Sequence, residues 1–306
     1  VPGLYGVDAE SIVVEPSTGS PASMVGHSRQ TYPTGTVRQR MVDTSMLKFH
    51  AEALEFGLVA DLDQGSRDPE QFLWHSFLKT GTLRRVPGKK LFTVEWGATE
   101  KLESSMSIRN RSMELSELVA FDHLLLAVCD ITGLIFKIDR NQHRVFQRWA
   151  IADGNGEEVK PFKMEWATVK DGLLHVGSMG REWVDDNGEI VHVNSQWVKT
   201  IDRNGRVDNI NWRPIYQALR TATNTSHPGY LWHEAVHWEA RTRRWIFLPR
   251  KASFGEPYSP ESDERRGTNL LLIASEDFAD INVTRLGPVE PEYGFSAVRK
   301  LPGEDV

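Results

Sequence analysis

One cysteine in 306 residues, Cys129, excludes an intrachain disulfide, so a hydrophobic core has to hold the fold. No run of 18 apolar residues is present, which leaves no segment long enough to span a bilayer as a helix. Basic charge is not in excess either. Thirty-six Lys and Arg against 42 Asp and Glu give a net charge of -6 and a pI near 6.0, so no field exists to attract nucleic acid. The glycines at 154, 156, 177 and 180 build no P-loop, because the GxxxxGK[ST] pattern is missing, and no EF-hand loop supplies calcium ligands locally. A starting Met and an apolar leader are also lacking, as in a chain whose leader was cleaved or trimmed. Three sequons, at Asn110, Asn224 and Asn282, suit a glycoprotein, and the expected location is secreted or in the secretory lumen.

What is present is an ordinary apolar fraction of 40%, a charged fraction of 25% and ten tryptophans. So many indoles suit wide sheets or platforms for flat ligands. The chain is organised around residues 111–138, RSMELSELVAFDHLLLAVCDITGLIFKI, where three short apolar runs (118–121, 124–128, 134–138) are separated only by Asp and Gly turn residues. Runs of this kind are strands joined by hairpins, an antiparallel meander.

Further strands are expected at 56–61, 74–79, 90–96, 144–150, 163–169, 173–176, 197–201, 230–238, 244–249, 269–274, 282–289 and 293–301, close to the ten-residue rhythm of sandwiches, barrels and propellers. No exact repeat is visible. One inserted helix is expected at 212–223, with Asn211 as its cap, Pro214 in its first turn and Ile215, Ala218, Leu219 and Ala222 along one face. Residues 1–48, rich in Pro, Ser, Thr and Gly, read as an N-terminal arm ahead of one domain over 49–306.

MELSELVAF followed by CDITGLIFKI resembles the signature segment of the calcium-activated nucleotidases, the soluble apyrase family. VADLD at 59–63, FKMEWATVKDGLLHVGSMGREW at 162–183, PGYLWHEAVHW at 228–238, RRWIFLPRKAS at 243–253, DERRGTNLLLIAS at 263–275 and YGFSAVRKLPG at 293–303 are similar to further family blocks, in order. The resemblance implies an all-β, five-bladed β-propeller with a metal on its axis. The family continues past the point matching Val306 with the last strands and one further glutamate ligand, so an incomplete C-terminal end is also implied.

By the same resemblance, Ca²⁺ is held by Ser116, Glu117, Glu165, Glu234 and Ser296, while Asp61 and Asp130 position the attacking water. Asp63, Trp183, Arg250 and Arg266 are expected to bind substrate. The chemistry fits. Attack on phosphorus in a nucleoside di- or triphosphate needs its negative charges offset, which a divalent ion and planar arginine forks can do. Relatives carry two aspartates before the turn where this chain has Cys129-Asp130, so a nucleotide-binding scavenger that has lost turnover is the alternative function.

A homodimer is an open expectation. A third reading, a zinc peptidase, starts from His233-Glu234-Ala235-Val236-His237, formally HExxH. That signature needs a helix, and its surroundings here read as strand.

Overall fold

The computed structural model describes residues 13–14, 53–87, 91–185 and 187–301. The expected arm at 1–48 lies outside the described residues apart from Val13–Val14. Sixteen of the strands form four antiparallel meanders of four, each neighbour paired with the next in chain order. The first is β1 (Val13–Val14), β2 (Ala53–Val59), β3 (Trp74–Arg85) and β4 (Phe92–Ser104). The second is β5 (Leu115–Phe121), β6 (Leu124–Cys129), β7 (Leu134–Asp139) and β8 (Arg144–Ala150).

In the third, β9 (Trp166–Lys170) and β10 (Leu173–Gly177) are followed by a separate hairpin, β11 (Trp183–Val184) with β12 (Ile190–His192). The sheet then resumes with β13 (Trp197–Ile201) and β14 (Val207–Asn211). After helix α1 (Arg213–Thr223), the fourth sheet is β15 (Tyr230–Glu239), β16 (Arg244–Ser253), β17 (Leu270–Ser275) and β18 (Ile281–Arg285), with the short α2 (Pro260–Asp263) between β16 and β17.

The sheets stand side by side like propeller blades. β5 touches β9 and β9 touches β15, so these first strands of their sheets line the interior of the arc, while β1 and β2 of the first sheet both touch β5. Three apolar cores fill the spaces between successive blades. Trp74, Leu78 and Leu102 meet Leu115, Leu118 and Phe136 between the first two; Val119 and Leu126 meet Phe162, Leu174 and Ile201 between the second and third; Trp166, Trp212, Trp245 and Phe247 join the third to the fourth. Each sheet is thus apolar on both faces where it meets a neighbour, which is why the inner strands lack a clean alternation.

Hairpin chemistry sets the meander. The β5–β6 turn carries Asp122 at φ 46° and His123 at 64°, and the β9–β10 turn carries Asp171 at 50° and Gly172 at 76°. Positive φ at both central residues is the two-residue turn whose twist matches the strands it joins. Gly177 serves packing instead: a Cβ there would lie 2.1 Å from the Trp166 indole, which seats flat across the strand end.

Most expected strands appear, and β8 and β13 have the expected bounds. Residues 293–301 differ. They run extended without a ladder among the described residues, because no neighbouring strand there lies along them; Gly294 instead passes so close to Arg250 that a Cβ would meet its carbonyl at 2.2 Å. The helix is correct in place but its buried face is Tyr216, Leu219, Arg220 and Thr223, with Ala222 exposed. Tyr216 packs on Trp212 and His233, and Arg220 is buried by an ion pair with Glu182, a draw that apolar periodicity does not register. Trp212 is the cap residue, yet the Asn211 carboxamide oxygen does accept the Arg213 N–H at 2.9 Å.

Candidate active site

Antiparallel pairing brings the starts of the inner strands to the same end as the finishes of their partners. Leu115 of β5 faces Cys129 at the end of β6, and Trp166 of β9 faces Gly177 at the end of β10. Ser116, Glu165 and Glu234, each five residues before the end of its inner strand, therefore occupy corresponding places in three successive blades, at the mouth of the arc. Asp61, just past β2, and Asp130, just past β6, correspond in the same way.

The ladders slip at this mouth. In β5 the register skips Ser116 between Leu115 and Glu117, and in β15 it skips Glu234 between His233 and Ala235. A residue left over by such a bulge is turned away from the regular alternation, which re-aims its side chain. On β16 the opposing register skips Arg250, whose Nη1 donates to Glu234 Oε2 at 2.8 Å.

The charges form one connected chain of groups. Lys163 Nζ donates to Asp130 Oδ2 at 2.5 Å and lies 2.7 Å from Glu165 Oε1. Burial pushes the Glu165 carboxyl up, and the nearby Glu234 charge adds to the rise even though Lys163 opposes it. Glu234 is raised by burial as well, against the pull of Arg250. The Glu234 charge thus lies near enough to act on Glu165. Lys163 is held well above its ordinary range: burial alone would lower it, and the charges of Asp130 and Glu165 outweigh that.

On the opposite side of the mouth, ligand atoms of Asp61, Asp63 and Glu114 lie within 4.8 Å of one another. Asp61 Oδ1 accepts the Asp63 N–H at 2.8 Å, and burial followed by the Asp130 charge pushes Asp61 up. Arg111 grips Glu114 with its Nε at 2.8 Å and with Nη2, and that Nη2 lies 3.7 Å from Asp63 Oδ1. Between the two halves sits Asp130. Its N–H donates to the Glu114 carbonyl at 3.0 Å, and its Oδ1 is buried with no hydrogen-bond partner among the described residues.

Seven of the expected positions, Asp61, Asp63, Ser116, Asp130, Glu165, Glu234 and Arg250, thus gather at the mouth. Glu117 reaches further in, where Arg299 Nη2 lies 3.1 Å from its Oε1 and donates at 3.1 Å to the carbonyls of both Leu118 and Ala167. Ser296 is half-buried in the extended stretch that crosses Arg250 at Gly294. Arg266 pairs with Glu256 on a rim loop. Trp183 lies on the β11–β12 hairpin, with Lys160 Nζ 4.6 Å from its ring centre.

Sequence reasoning did not single out Arg111 or Lys163. The signal was there for Lys163: two residues before Glu165 on extended chain, it shares that residue's side. His233 and His237 lie on a strand, as their context indicated. Four residues of strand separate them by about 13 Å, too far for one ion, and burial pushes both imidazoles down to about 3.

A family model described as Apyrase matches residues 62–306. The chain is 43% identical over 250 residues to "Soluble calcium-activated nucleotidase 1" of Mus musculus, covering 81% of this chain and 61% of that protein. It is 37% identical over 263 residues to "Apyrase apy-1" of Caenorhabditis elegans, covering 84% and 73%. With "Apyrase" of Cimex lectularius it shares 38% over 253 residues, covering 81% and 68%. The chain spans about three-fifths of the length of the nucleotidase relatives, 61% in mouse and rat.

Proposed function

The chain belongs to the apyrase family, and on that premise we propose that it hydrolyses the terminal phosphoanhydride of nucleoside di- or triphosphates with the help of Ca²⁺. The observation that carries the reading is the meeting of Asp61, Asp130, Glu165 and Glu234, from four different blades, in one charged network bridged by Lys163 and Arg250.

The donor set suits a hard cation. Carboxylates of Glu117, Glu165 and Glu234 with the hydroxyls or carbonyls of Ser116 and Ser296 offer oxygen only, which Ca²⁺ takes in sixes to eights. Two glutamates raised by burial, Glu165 further by the Glu234 charge, are also a pair that a dication would relieve. Bound there, Ca²⁺ would offset phosphate charge and stabilise the departing phosphate.

The chain's own residues do the rest. Lys163 keeps one oxygen of Asp130 occupied, leaving Oδ1 to accept a proton from water. That water's oxygen attacks the terminal phosphorus, the bridging P–O bond breaks, and the shortened nucleotide leaves with the bond's electrons on its terminal phosphate. Asp61 helps to orient the same water. In this reading Arg250 and Arg266 bind phosphate oxygens, Asp63 meets the substrate and Trp183 stacks on the base.

Cys129 is fully buried in the core between the first two blades, and burial pushes its thiol up to about 11. We further read the mature architecture as a five-bladed ring, with residues 294–301 at the start of the fifth blade. Arg299 lying across the carbonyls of β5 and β9 supports this, with Ser296 taking the place that glutamates take in other blades. A secreted or lumenal setting, and a domain at 49–306 following an arm, complete the proposal.

Phosphate release from ADP, measured with Ca²⁺ and with chelator, tests the function. Release should require Ca²⁺ and collapse in Glu165→Ala and in Asp130→Asn. Metal-independent release at an unchanged rate rejects the reading; calorimetric binding without release selects the scavenger.

A further inference from the structure

Resting on the nucleotide reading above, we propose that the substrate's base lies against a wall of three aromatic rings, Trp183, Trp232 and Tyr258, whose spacing is set by Arg181 buried behind them. Arg181 follows β10 at the mouth and is 2% exposed. Its guanidinium carbon lies 3.8 Å from the Tyr258 ring centre, 5.1 Å from Trp232 and 5.5 Å from Trp183, with Tyr230 at 5.8 Å. Nη1 donates to the Glu182 carbonyl at 2.6 Å, while Nε is buried without a hydrogen-bond partner among the described residues. The cation is held by ring faces rather than by a carboxylate, and in return it holds the rings.

Each of the three rings is half-buried, so each residue keeps part of its surface open. Further cations stand along the wall. Lys251 Nζ lies 5.4 Å from the Trp232 ring centre, anchored at 2.6 Å to an Asp263 carboxylate whose other oxygen accepts the Tyr230 hydroxyl at 2.6 Å. Lys160 Nζ lies over Trp183 at 4.6 Å. Lys251 also bonds Glu264 at 3.2 Å, so its charge is offset, and the wall is aromatic with ammonium groups against its rings, a surface that suits the face of a flat heteroaromatic.

Its position relative to the acids fits the same ligand. Trp232 and Glu234 are two residues apart on β15, about 7 Å of strand. Lys251 is the neighbour of Arg250, which grips Glu234. Phosphates held at Glu234 and Arg250 put a ribose and base in reach of the wall, whereas the Asp61, Asp63 and Glu114 side presents carboxylates. Stacking reads a ring face and not its edge, so the wall takes purines and pyrimidines alike, favouring the larger purine surface.

Tyr258→Leu and Trp183→Leu, made separately in the full chain, test the wall because inorganic tripolyphosphate has the phosphoanhydride and no base. With free Ca²⁺ fixed, the ratio of kcat/KM for ADP to that for tripolyphosphate should fall about 5- to 100-fold, through KM, as loss of one stacked ring implies. An unchanged ratio, or equal losses on both substrates, overturns the wall. Calorimetric titration of wild type and variants with both ligands reads the same ratio without turnover. If wild type releases no phosphate yet binds ADP more tightly than tripolyphosphate, and Tyr258→Leu removes that preference, the wall stands and the hydrolase reading fails. If wild type binds the two equally, the wall falls whatever the activity.

Discussion

Replacing Arg220 with methionine isolates the clamp that ties α1 to the rim of the site. Arg220 is 3% exposed, and its Nη1 meets both Glu182 carboxylate oxygens at 2.7 and 2.6 Å. Its Nε donates to the Thr225 carbonyl at 3.2 Å and its Nη2 to the Gly229 carbonyl at 2.8 Å. Methionine retains much of the stem but leaves the buried carboxylate with only its own backbone N–H and Gln196, 3.3 Å away. Breaking a buried pair costs about 3–5 kcal/mol, and two bared carbonyls add about 1 kcal/mol more.

An unfolding entropy of about 2.1 cal/mol/K per residue over 306 residues turns that loss into a fall in Tm of roughly 6–9 °C. Differential scanning calorimetry at pH 7 reads it. Adding Glu182→Leu removes the stranded charge and should restore more than half of the loss. A fall below about 2 °C, or a double variant worse than the single one, refutes the assignment of Arg220 as a counter-ion. Because Glu182 adjoins Arg181, the single variant should also raise the KM for ADP.

Two further outcomes follow from buried groups. Lys163→Met should cut kcat for ADP about 10²- to 10³-fold, the scale of losing one preorganised charge at a reacting group, and initial rates within threefold of wild type would dismiss that role. His175 is pushed down to about 4, first by burial and then by Lys170, so its unfolded form takes up a proton below about pH 6.5 that the folded form refuses. Stability should therefore decline as pH falls from about 6.5 to 4, by up to about 3 kcal/mol for this group. Urea midpoints of His175→Phe that decline as steeply as wild type would sink that explanation.

Much of the fold was legible because local chemistry and tertiary demand agree. The 111–138 meander announces itself by short β-rich runs and turn residues, and the structure keeps all three strands. The blade repeat was not legible. Ser116, Glu165 and Glu234 occupy matching places, but 49 residues separate the first two and 69 the last two, because the β11–β12 hairpin and α1 are inserted before β15, which breaks the period. Strand 293–301 was misjudged because alternation states what a strand could bury, not whether a neighbour exists to pair with it. The helix face was misjudged because Arg220 is drawn inside by Glu182, an attraction between residues 38 apart in sequence. The acids were proposed through whole motifs; Lys163 offered only its spacing from Glu165, and Arg111 is known by its partners Glu114 and Asp63.

The slips at Ser116 and Glu234 leave the sheets unusually tolerant of shortening. Elsewhere in a ladder, losing one residue flips every later side chain to the wrong face. At a slip it merely straightens the strand, since the neighbours on either side are already opposite their partners. A single-codon deletion could thus strip a blade of its donor while its packing survives, which gives descendants of such a chain a short route from enzyme to inert scaffold.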